Sequence, residues 1–275
     1  MTAKTIVITG ASDGIGLEAA SHLAAAGHHL VIVGRNPEKT QRALARVRPH
    51  DPEATSYLVD MASLDSVREL AASLDRDLPV IDVLCNNAGT VYAKRTLTAD
   101  GFEATFAVNH LGPFLLTELL RDKLAGDGRI VNTASGSHYG ATMNFDDLGF
   151  ERGYQIMRAY GRSKLANVLY TRELARQGEG TEQTANCLHP GTLATSIWAG
   201  APRFTKPALA VLKRFMTDPV VGGSRIAYLA ESPEVAGLTG GYYDKNRLKT
   251  PSKLARDNDL AQRLYRESRT LVGLD

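Results

Sequence analysis

The sequence predicts a single-domain α/β protein of the Rossmann type, with a doubly wound parallel sheet of about seven strands. Two observations indicate this fold. Short β-branched runs alternate with longer alanine-rich helical patterns from the first residues onward, which is typical of right-handed βαβ units. A glycine-rich turn, residues 9–16, directly follows the first run. The 275 residues, of which 43% are apolar, suffice for one large core.

The predicted strands and helices follow one another along the chain in order. The strand-like runs are residues 5–9, 30–34, 55–59, 80–85, 129–133, 184–188 and 240–244. Helical periodicity occurs in residues 17–26, 64–74, 102–124, 160–176 and 219–230. After residue 191 the pattern loosens, so we expect a mixed helical insert at 192–216 and a solvated C-terminal tail helix at 245–275. Residues 1–275 are therefore predicted to form one domain.

The charge balance argues against nucleic acid as a partner. The 32 basic and 30 acidic side chains give a formal net charge of +2 and are interspersed rather than grouped. No apolar run approaches the roughly 20 residues that span a bilayer, so no integral membrane segment is expected and the cytoplasm is the predicted location. Cys85 and Cys187 each end an apolar run and have no paired spacing. This predicts reduced core thiols, with neither a disulfide nor a metal site.

The glycine-rich turn has the context of a dinucleotide phosphate site, since it follows a strand and opens a helix. Gly10 permits the tight turn, Gly14 lets the backbone approach a pyrophosphate, and Gly16 lets helix and strand pack closely. The spacing Gly-x-x-x-Gly-x-Gly differs from the ordinary dinucleotide fingerprint. Cofactor contacts are predicted for Gly10, Ser12, Asp13, Gly14, Ile15 and Gly16.

The same turn also contains Gly10-x-Ser12-x-Gly14, the pattern of a serine hydrolase nucleophile elbow. In that fold several strands and an oxyanion loop precede the serine. Here only nine residues precede Gly10, and the chain contains no His-Gly-Gly run. Hydrolysis that uses Ser12 is therefore kept only as an alternative.

Arg35 follows the second predicted strand, where NAD-specific dinucleotide folds usually place an acidic residue. A guanidinium binds a ribose 2′-phosphate bidentately, whereas a carboxylate repels it. Arg35 and the adjacent Asn36 therefore predict NADP(H) as cofactor, against the competing interpretation that Arg35 only caps the strand end. Asp60, at the end of the third strand, could hold the adenine amino group or cap the next helix. Its neighbour Met61 is assigned to the same cofactor site.

Further candidates fall at the carboxyl edge of the predicted sheet, where open parallel sheets bind ligands. Asn87, Ala88 and Gly89 end the fourth strand, and such small residues and amides suit close approach to a ribose. Asn109 lies inside a helical pattern, where this poor helix former indicates a local kink or a bound water. Ser135 follows the fifth strand and could donate to a carbonyl oxygen or simply form a turn.

Tyr160 and Lys164 are four residues apart in a predicted helix, so a phenol and an ammonium lie on one face. A free phenol titrates near pH ~10, and half-ionisation at pH 7 needs its pKa to fall by about 3, roughly 4 kcal/mol. A cation about 5 Å away contributes roughly 3 kcal/mol at an effective dielectric of ~20. An oxidised nicotinamide would be a second cation. The pair predicts a tyrosine acid/base, although the same spacing also occurs on solvated helix faces.

Together these motifs resemble the short-chain dehydrogenase/reductase family over about residues 4–244. They occur in the family's order: the glycine turn, residues 86–89, Asn109, Ser135, Tyr160-x-x-x-Lys164 and Pro190-Gly191. Four further runs are similar to the retinol-dehydrogenase-like branch: 129–132, 145–148, 163–167 and 189–192. Regulatory sensor relatives typically lack the Tyr/Lys pair, so the intact set favours an enzyme over a non-catalytic NADP(H)-binding sensor.

The resemblance implies a catalytic role for four residues. Tyr160 would be the general acid in carbonyl reduction and the base in alcohol oxidation. Lys164 would bind the nicotinamide ribose and lower the pKa of the phenol. Ser135 would orient the carbonyl oxygen, and Asn109 would hold a water that links Lys164 to solvent.

The resemblance also implies contacts to nicotinamide and substrate. Backbone at Pro190 and Gly191 would lie against the nicotinamide, with Thr192 or Thr195 bonding its carboxamide or the phosphates. Residues 192–216 would form a substrate lid. Aromatic residues there and in the 24 residues between Ser135 and Tyr160 favour an apolar ketone, aldehyde or alcohol. Whether the protein is a homodimer is left open. Substrate contacts are predicted for Ser135, His138, Tyr139 and Trp198, although a structural role is the competing interpretation of His138.

Overall fold

The computed structural model describes residues 2–191 and 217–275, which form a twisted sheet with helices on both faces. The sheet order is β3-β2-β1-β4-β5-β6-β7-β8. It reverses between β1 and β4, the place where doubly wound sheets bind ligands. The strands are β1 (Thr5–Thr9), β2 (His29–Gly34), β3 (Thr55–Leu58), β4 (Ile81–Asn86), β5 (Leu124–Thr133), β6 (Thr184–His189), β7 (Tyr242–Asp244) and β8 (Arg247–Leu248).

This architecture confirms the predicted doubly wound α/β fold. All seven predicted strands are present and pair in parallel. The sequence prediction lacks β8, which pairs antiparallel to β7. The turn between them contains Lys245 and Asn246, both at positive φ. A strand of two residues is too short for hydrophobic periodicity to reveal it.

Eight α-helical segments are found in the described residues. Most begin at a side chain that accepts a backbone N–H, namely Asp13, Asn36, Ser63, Asp218 and Asp257. The helix predicted at 102–124 is divided, because a π-helical turn, Ala107–Leu111, separates α4 from α5. The helices are α1 (Gly14–Ala25), α2 (Pro37–Val47), α3 (Leu64–Asp77), α4 (Ala104–Phe106), α5 (Gly112–Leu120), α6 (Ile156–Gln177), α7 (Pro219–Glu231) and α8 (Asn258–Val272).

Alternating strand residues fill two hydrophobic cores, one on each face of the sheet. Ile6 and Ile8 belong to the core that contains side chains of α1 and α7. Val7 belongs to the core that contains side chains of α3, α5, α6 and α8. Cys85 and Cys187 are buried free thiols, and burial raises the pKa of each to about 12. In the described part of the chain, no helix is long and apolar enough to cross a membrane.

The C-terminal residues differ from the predicted solvated tail helix at 245–275. β8 and a 3₁₀ turn, Leu254–Arg256, come first, and α8 begins only at Asn258. One face of α8 is buried, through Ala261, Leu264, Ser268 and Val272, and α8 packs against α6. The basic residues that suggested a solvated helix lie mainly outside this face, whose spacing is that of an amphipathic helix. The predicted lid, 192–216, lies outside the described residues.

Candidate active site

The glycine turn between β1 and α1 has the shape that the sequence predicts. Gly10 has a φ of +66°, and a Cβ there would lie 2.9 Å from the Ala88 Cα. A Cβ on Gly16 would lie 2.4 Å from the Gly10 carbonyl oxygen. Any side chain at either position would therefore displace backbone. The glycines at 10 and 16 thus let the turn pack directly against α1 and the end of β4, which is the close packing of a dinucleotide-binding turn.

Thr9 and Asn87 hold this turn against the end of β4. The Thr9 hydroxyl accepts hydrogen bonds from the N–H groups of Asn87 and Ala88, at 3.0 and 3.1 Å. The Asn87 side-chain amide donates to the carbonyl oxygens of Thr9 and Gly10. Its oxygen Oδ1 is buried and has no partner among the described residues. An orphaned acceptor beside the glycine turn fits a bound dinucleotide that supplies a donor.

Asp13, at the tip of the turn, is bound on both carboxylate oxygens. Oδ1 accepts from the Gly14 N–H at 2.8 Å, and Oδ2 pairs with Lys39 Nζ at 2.7 Å. The Lys39 contact is the main reason that the pKa of Asp13 is lowered. Lys39 is a residue that the sequence reasoning missed, because its sequence separation of 26 from Asp13 leaves no local signal.

The backbone of Arg35 lies beside the glycine turn, because a Cβ on the preceding residue, Gly34, would lie 2.9 Å from the Ser12 Cβ. The Arg35 side chain is exposed and forms no hydrogen bond within residues 2–191 and 217–275. It therefore does not cap the end of β2 there. The Asn36 side chain caps α2 by accepting from the Lys39 N–H at 2.9 Å. Of the two predicted contacts, Arg35 has the side chain that can reach a ligand phosphate.

Asp60 and Met61 lie at the end of β3. Asp60 Oδ1 accepts from the Ala62 N–H at 3.0 Å, while Ser63 provides the N-cap of α3. The competing prediction that Asp60 caps this helix is therefore wrong, because Asp60 forms the turn before it. The Met61 side chain is buried in the core. Its carbonyl oxygen would be 2.7 Å from a Cβ on Gly112, so Met61 packs against α5.

Helix α6 places Tyr160 and Lys164 at the carboxyl edge of the sheet. Lys164 Nζ is 5.7 Å from the centroid of the Tyr160 ring and donates to the Thr133 carbonyl oxygen at 2.9 Å. Burial of the ammonium lowers the pKa of Lys164 to about 8. The pKa of Tyr160 is raised by burial, and a hydrogen bond with the Ser135 side chain partly opposes this. The protein groups alone thus do not produce the lowered phenol pKa that the Tyr/Lys spacing predicts.

Ser135 reaches Tyr160 from the end of β5. It is the N-cap of a 3₁₀ turn, Gly136–Gly140, and its hydroxyl accepts from the Ser137 N–H at 3.2 Å. Its backbone is extended, with φ −162° and ψ 155°. The turn-forming interpretation of Ser135 is therefore confirmed, and the same hydroxyl lies close enough to the Tyr160 phenol to oppose the rise in its pKa.

Asn109 lies in the π-helical turn, which agrees with the kink predicted for it. Its Oδ1 accepts from the Thr90 N–H at 2.7 Å, and its Nδ2 donates to the Thr90 carbonyl and to Ser163 Oγ. A Cβ on Gly89 would lie 3.3 Å from Asn109 Oδ1 and 3.5 Å from Lys164 Nζ. Gly89 therefore lies between these two polar groups. The structure brings Ser135, Tyr160, Lys164 and Asn109 to one site.

The predicted substrate contact at His138 is wrong. The side chain has no exposed surface, its Nδ1 lies 2.7 Å from the Ser135 carbonyl oxygen, and its Nε2 accepts from the Ser252 N–H. Both ring nitrogens are therefore used in the fold. Tyr139 is partly exposed, but its hydroxyl donates to the Thr250 carbonyl oxygen at 2.8 Å.

The predicted nicotinamide loop follows β6. Arg225 of α7 donates to the Pro190 carbonyl oxygen at 2.8 Å, and Gly191 has a φ of +111°. A Cβ on Gly191 would clash with the Thr217 hydroxyl. Arg225 is a second residue that sequence reasoning missed, because only the fold brings α7 beside this loop. Thr192, Thr195 and Trp198 lie outside the described residues.

Arg162, between the two catalytic candidates on α6, holds the segment that precedes this helix. The guanidinium is buried, lies 3.6 Å from the centroid of the Phe150 ring, and donates to the carbonyl oxygens of Thr142, Asp147 and Leu148. In the sequence, only its position between Tyr160 and Lys164 could have indicated a role for Arg162. A buried charge at this position stabilises the segment between Thr142 and Phe150 against α6.

The structure gives no support to hydrolysis by Ser12. All seven histidines of the chain lie in the described residues, and none of their rings bonds to Ser12. A serine nucleophile needs a base within hydrogen-bond reach. The glycine turn therefore fits only the dinucleotide interpretation.

Comparison with known proteins agrees with this geometry. The family model described as short chain dehydrogenase matches residues 4–204. Human retinol dehydrogenase 13 is 38% identical over 282 residues, 99% of this chain and 85% of that protein. A Streptomyces sp. (strain C5) protein provisionally named daunorubicin C-13 ketoreductase DnrU is 38% identical over 98% of this chain and 93% of its own length. A crystal structure of an uncharacterised Mycobacterium paratuberculosis protein has a TM-score of 0.80 at 30% identity, covering 98% of this chain and 93% of that one.

The fold, the site and these similarities define a Rossmann-type oxidoreductase. More particularly, the chain belongs to the short-chain dehydrogenase/reductase family, in its retinol-dehydrogenase-like branch. One solved relative, a blue fluorescent protein from a metagenomic library, was crystallised with NADPH. It has a TM-score of 0.70 at 26% identity, with coverage of 88% of this chain and 95% of that chain.

Proposed function

We propose that this protein is an NADP(H)-dependent oxidoreductase that transfers a hydride between nicotinamide and an apolar ketone or aldehyde, or the matching alcohol. The proposal rests on one observation: Ser135, Tyr160, Lys164 and Asn109 come from three separate segments and meet at the carboxyl edge of the sheet, beside the ends of β4 and β5. Bound NADPH would supply the hydride. The protein side chains would supply the proton and fix the carbonyl oxygen.

Tyr160 is the proton donor in this proposal. Because burial raises the pKa of Tyr160, the phenol carries its proton at neutral pH and can give it to a carbonyl oxygen. The Ser135 hydroxyl lies near the phenol, so it can contact the same oxygen and orient it. Lys164, with Nζ 5.7 Å from the Tyr160 ring centroid, stabilises the negative charge that proton transfer leaves on the phenol.

Lys164 and Asn109 would restore that proton. Since the pKa of Lys164 is about 8, its ammonium can release a proton close to neutral pH. Gly89 keeps the space between Lys164 Nζ and Asn109 Oδ1 free of a side chain. That space suits a water molecule that passes protons from solvent to the ammonium, which is the role that the family resemblance implies for Asn109.

The charges around the glycine turn support NADP(H) rather than NAD(H). Arg35 is exposed at the end of β2 without a described partner. Lys39 lies nearby on α2, where it pairs with Asp13. A guanidinium at this position is suited to a 2′-phosphate, which an acidic residue would repel. The NADPH complex of the metagenomic relative is consistent with this assignment.

The substrate class is proposed from two sources. The segment before α6 contains the aromatic residues Phe145 and Phe150, and Arg162 of α6 binds this segment. Human retinol dehydrogenase 13 is named for the oxidation of an alcohol, retinol, and the Streptomyces protein for the reduction of the C-13 ketone of daunorubicin. We therefore propose a hydrophobic carbonyl compound or alcohol of this kind.

Steady-state assays would test the proposal. NADPH and NADH oxidation would be followed with a panel of apolar ketones, aldehydes and quinones, beside Ser135→Ala and the matched control Ser232→Ala, which removes another serine N-cap of a 3₁₀ turn. We expect turnover with NADPH, formation of the alcohol, and a loss of at least about 100-fold in kcat for Ser135→Ala alone. Binding of NADPH without turnover of any carbonyl or alcohol would favour the sensor alternative. Absence of NADPH binding would contradict the cofactor assignment.

A further inference from the structure

His110, the residue after Asn109, is buried in a way that the proposed reaction does not explain. Its side chain is 1% exposed. The ring is surrounded by the aromatic rings of Phe106, Phe114 and Tyr170, with centroid distances of 5.1, 5.8 and 6.0 Å. Burial lowers the pKa of His110 to about 4, so the imidazole is neutral at physiological pH and carries one N–H.

The polar partner of His110 is on the C-terminal helix. Its Nε2 lies 2.9 Å from the hydroxyl of Ser268 on α8. Ser268 is fully buried and is the only polar residue in the buried face of α8, beside Ala261, Leu264 and Val272. A hydroxyl inside an apolar helix contact costs free energy unless it is bonded. Its position opposite His110 therefore fits a specific connection between α8 and the π-helical turn.

The π-helical turn needs such a connection. The Gly112 N–H bonds to the Ala107 carbonyl oxygen, an i to i+5 bond that widens the helix by one residue. Pro113 has no N–H, so the Asn109 carbonyl also lacks the donor that an α-helix would supply at that position. The turn is thus a locally unfavourable conformation that its neighbours must hold. Asn109 is held from one side by Thr90 and Ser163, and His110 is held from the other side by Ser268.

We propose that His110 and Ser268 form a positioning pair through which α8 holds the π-helical turn, and with it Asn109, in the geometry that catalysis requires. This inference rests on the proposed function, because Asn109 is assigned there to proton supply. The C-terminal helix is then part of the active-site framework. Neither His110 nor Ser268 contacts the reacting atoms, and both act through Asn109.

The test combines kinetics with hydrogen exchange on the full-length protein. The variants are Ser268→Ala, His110→Phe and the double variant, with Leu264→Ala as the control that loosens α8 packing without touching the pair. We expect each pair variant to lower kcat about fivefold, because each loses one buried hydrogen bond. The KM for NADPH should stay unchanged. The double variant should lose no more than either single variant, since both remove the same connection.

Hydrogen exchange gives a readout that does not need turnover. Hydrogen exchange is measured for each variant at the same number of degrees below its own melting temperature. Under these conditions, amides of residues 107–112 should exchange faster in Ser268→Ala than in Leu264→Ala. Equal exchange in this segment, or additive losses of kcat, would overturn the positioning pair. If the wild type shows no turnover with any substrate, the proposed function fails, and the exchange result still decides whether the pair holds the turn.

Discussion

Replacement of Arg35 tests the cofactor assignment most sharply, because the structure predicts a loss of binding without a loss of stability. The side chain is exposed and has no hydrogen bond among the described residues, so Arg35→Ala removes no internal contact there. A hydrogen bond between charged groups contributes about 1.5–3 kcal/mol. Exposure to solvent reduces that value, and we expect about a tenfold rise in the Kd for NADPH.

The assay is a fluorescence titration of NADPH and NADH with Arg35→Ala and with the control Arg42→Ala. Arg42 is also exposed, and within residues 2–191 and 217–275 its ion pair is with Glu38 on its own helix, at 3.9 Å. Arg35→Ala should weaken NADPH but leave NADH binding unchanged, and the effect should shrink as salt is added. An unchanged ratio of the two affinities, or an equal effect in Arg42→Ala, would refute the role assigned to Arg35.

Three further predictions concern the turn, the buried lysine and α7. Gly16→Ala should abolish NADPH binding, since its Cβ would lie 2.4 Å from the Gly10 oxygen, whereas Gly126→Ala meets nothing within 4 Å and should bind normally in the same titration. Burial lowers the pKa of Lys164 from 10.5 to about 8, so the unfolded chain binds more protons between these values and stability falls as pH decreases through them. Lys164→Met should therefore raise the free energy of unfolding at pH 7 by about 2 kcal/mol after loss of its hydrogen bond, and urea titrations should show that gain vanish near pH ~9.5, where the remaining burial penalty equals the lost hydrogen bond. Arg129 Nη1 donates to the carbonyl oxygens of Leu229, Ala230 and Ser232 at the end of α7. Arg129→Leu should lower the free energy of unfolding in urea by about 3 kcal/mol. A decrease below about 1 kcal/mol would show that these three hydrogen bonds do not stabilise the end of α7.

The prediction of the site from the sequence depended on local motifs. The glycine turn and the Tyr160/Lys164 pair could be recognised because their chemistry depends on spacing of a few residues along one element. The kink at Asn109 was also predictable, from a poor helix former inside a helical pattern. These positions lie at strand ends or on a helix face, where the order of elements already determines which edge of the sheet they occupy.

Contacts between distant segments could not be predicted in this way. Arg225, Arg162 and Ser268 act on residues that only the fold brings near them. For α8, the Lys/Arg-rich composition of residues 245–269 favoured a solvated helix, because the four residues of its buried face are spread along the helix between charged side chains. His138 shows the opposite error, because a residue predicted to be exposed to substrate is buried. Its polar side chain in a loop beside Ser135 suggested substrate contact, but both ring nitrogens form hydrogen bonds inside the fold.

The proton donor is the centre of this account, and one comparison tests it directly. NADPH binding and carbonyl reduction would be measured in the same samples of wild type, Tyr160→Phe and Tyr57→Phe, whose phenol bonds Asp77 far from the site. The account predicts that Tyr160→Phe binds NADPH normally and loses at least about 100-fold in kcat, while Tyr57→Phe retains activity. Turnover of Tyr160→Phe near the wild-type rate would contradict it.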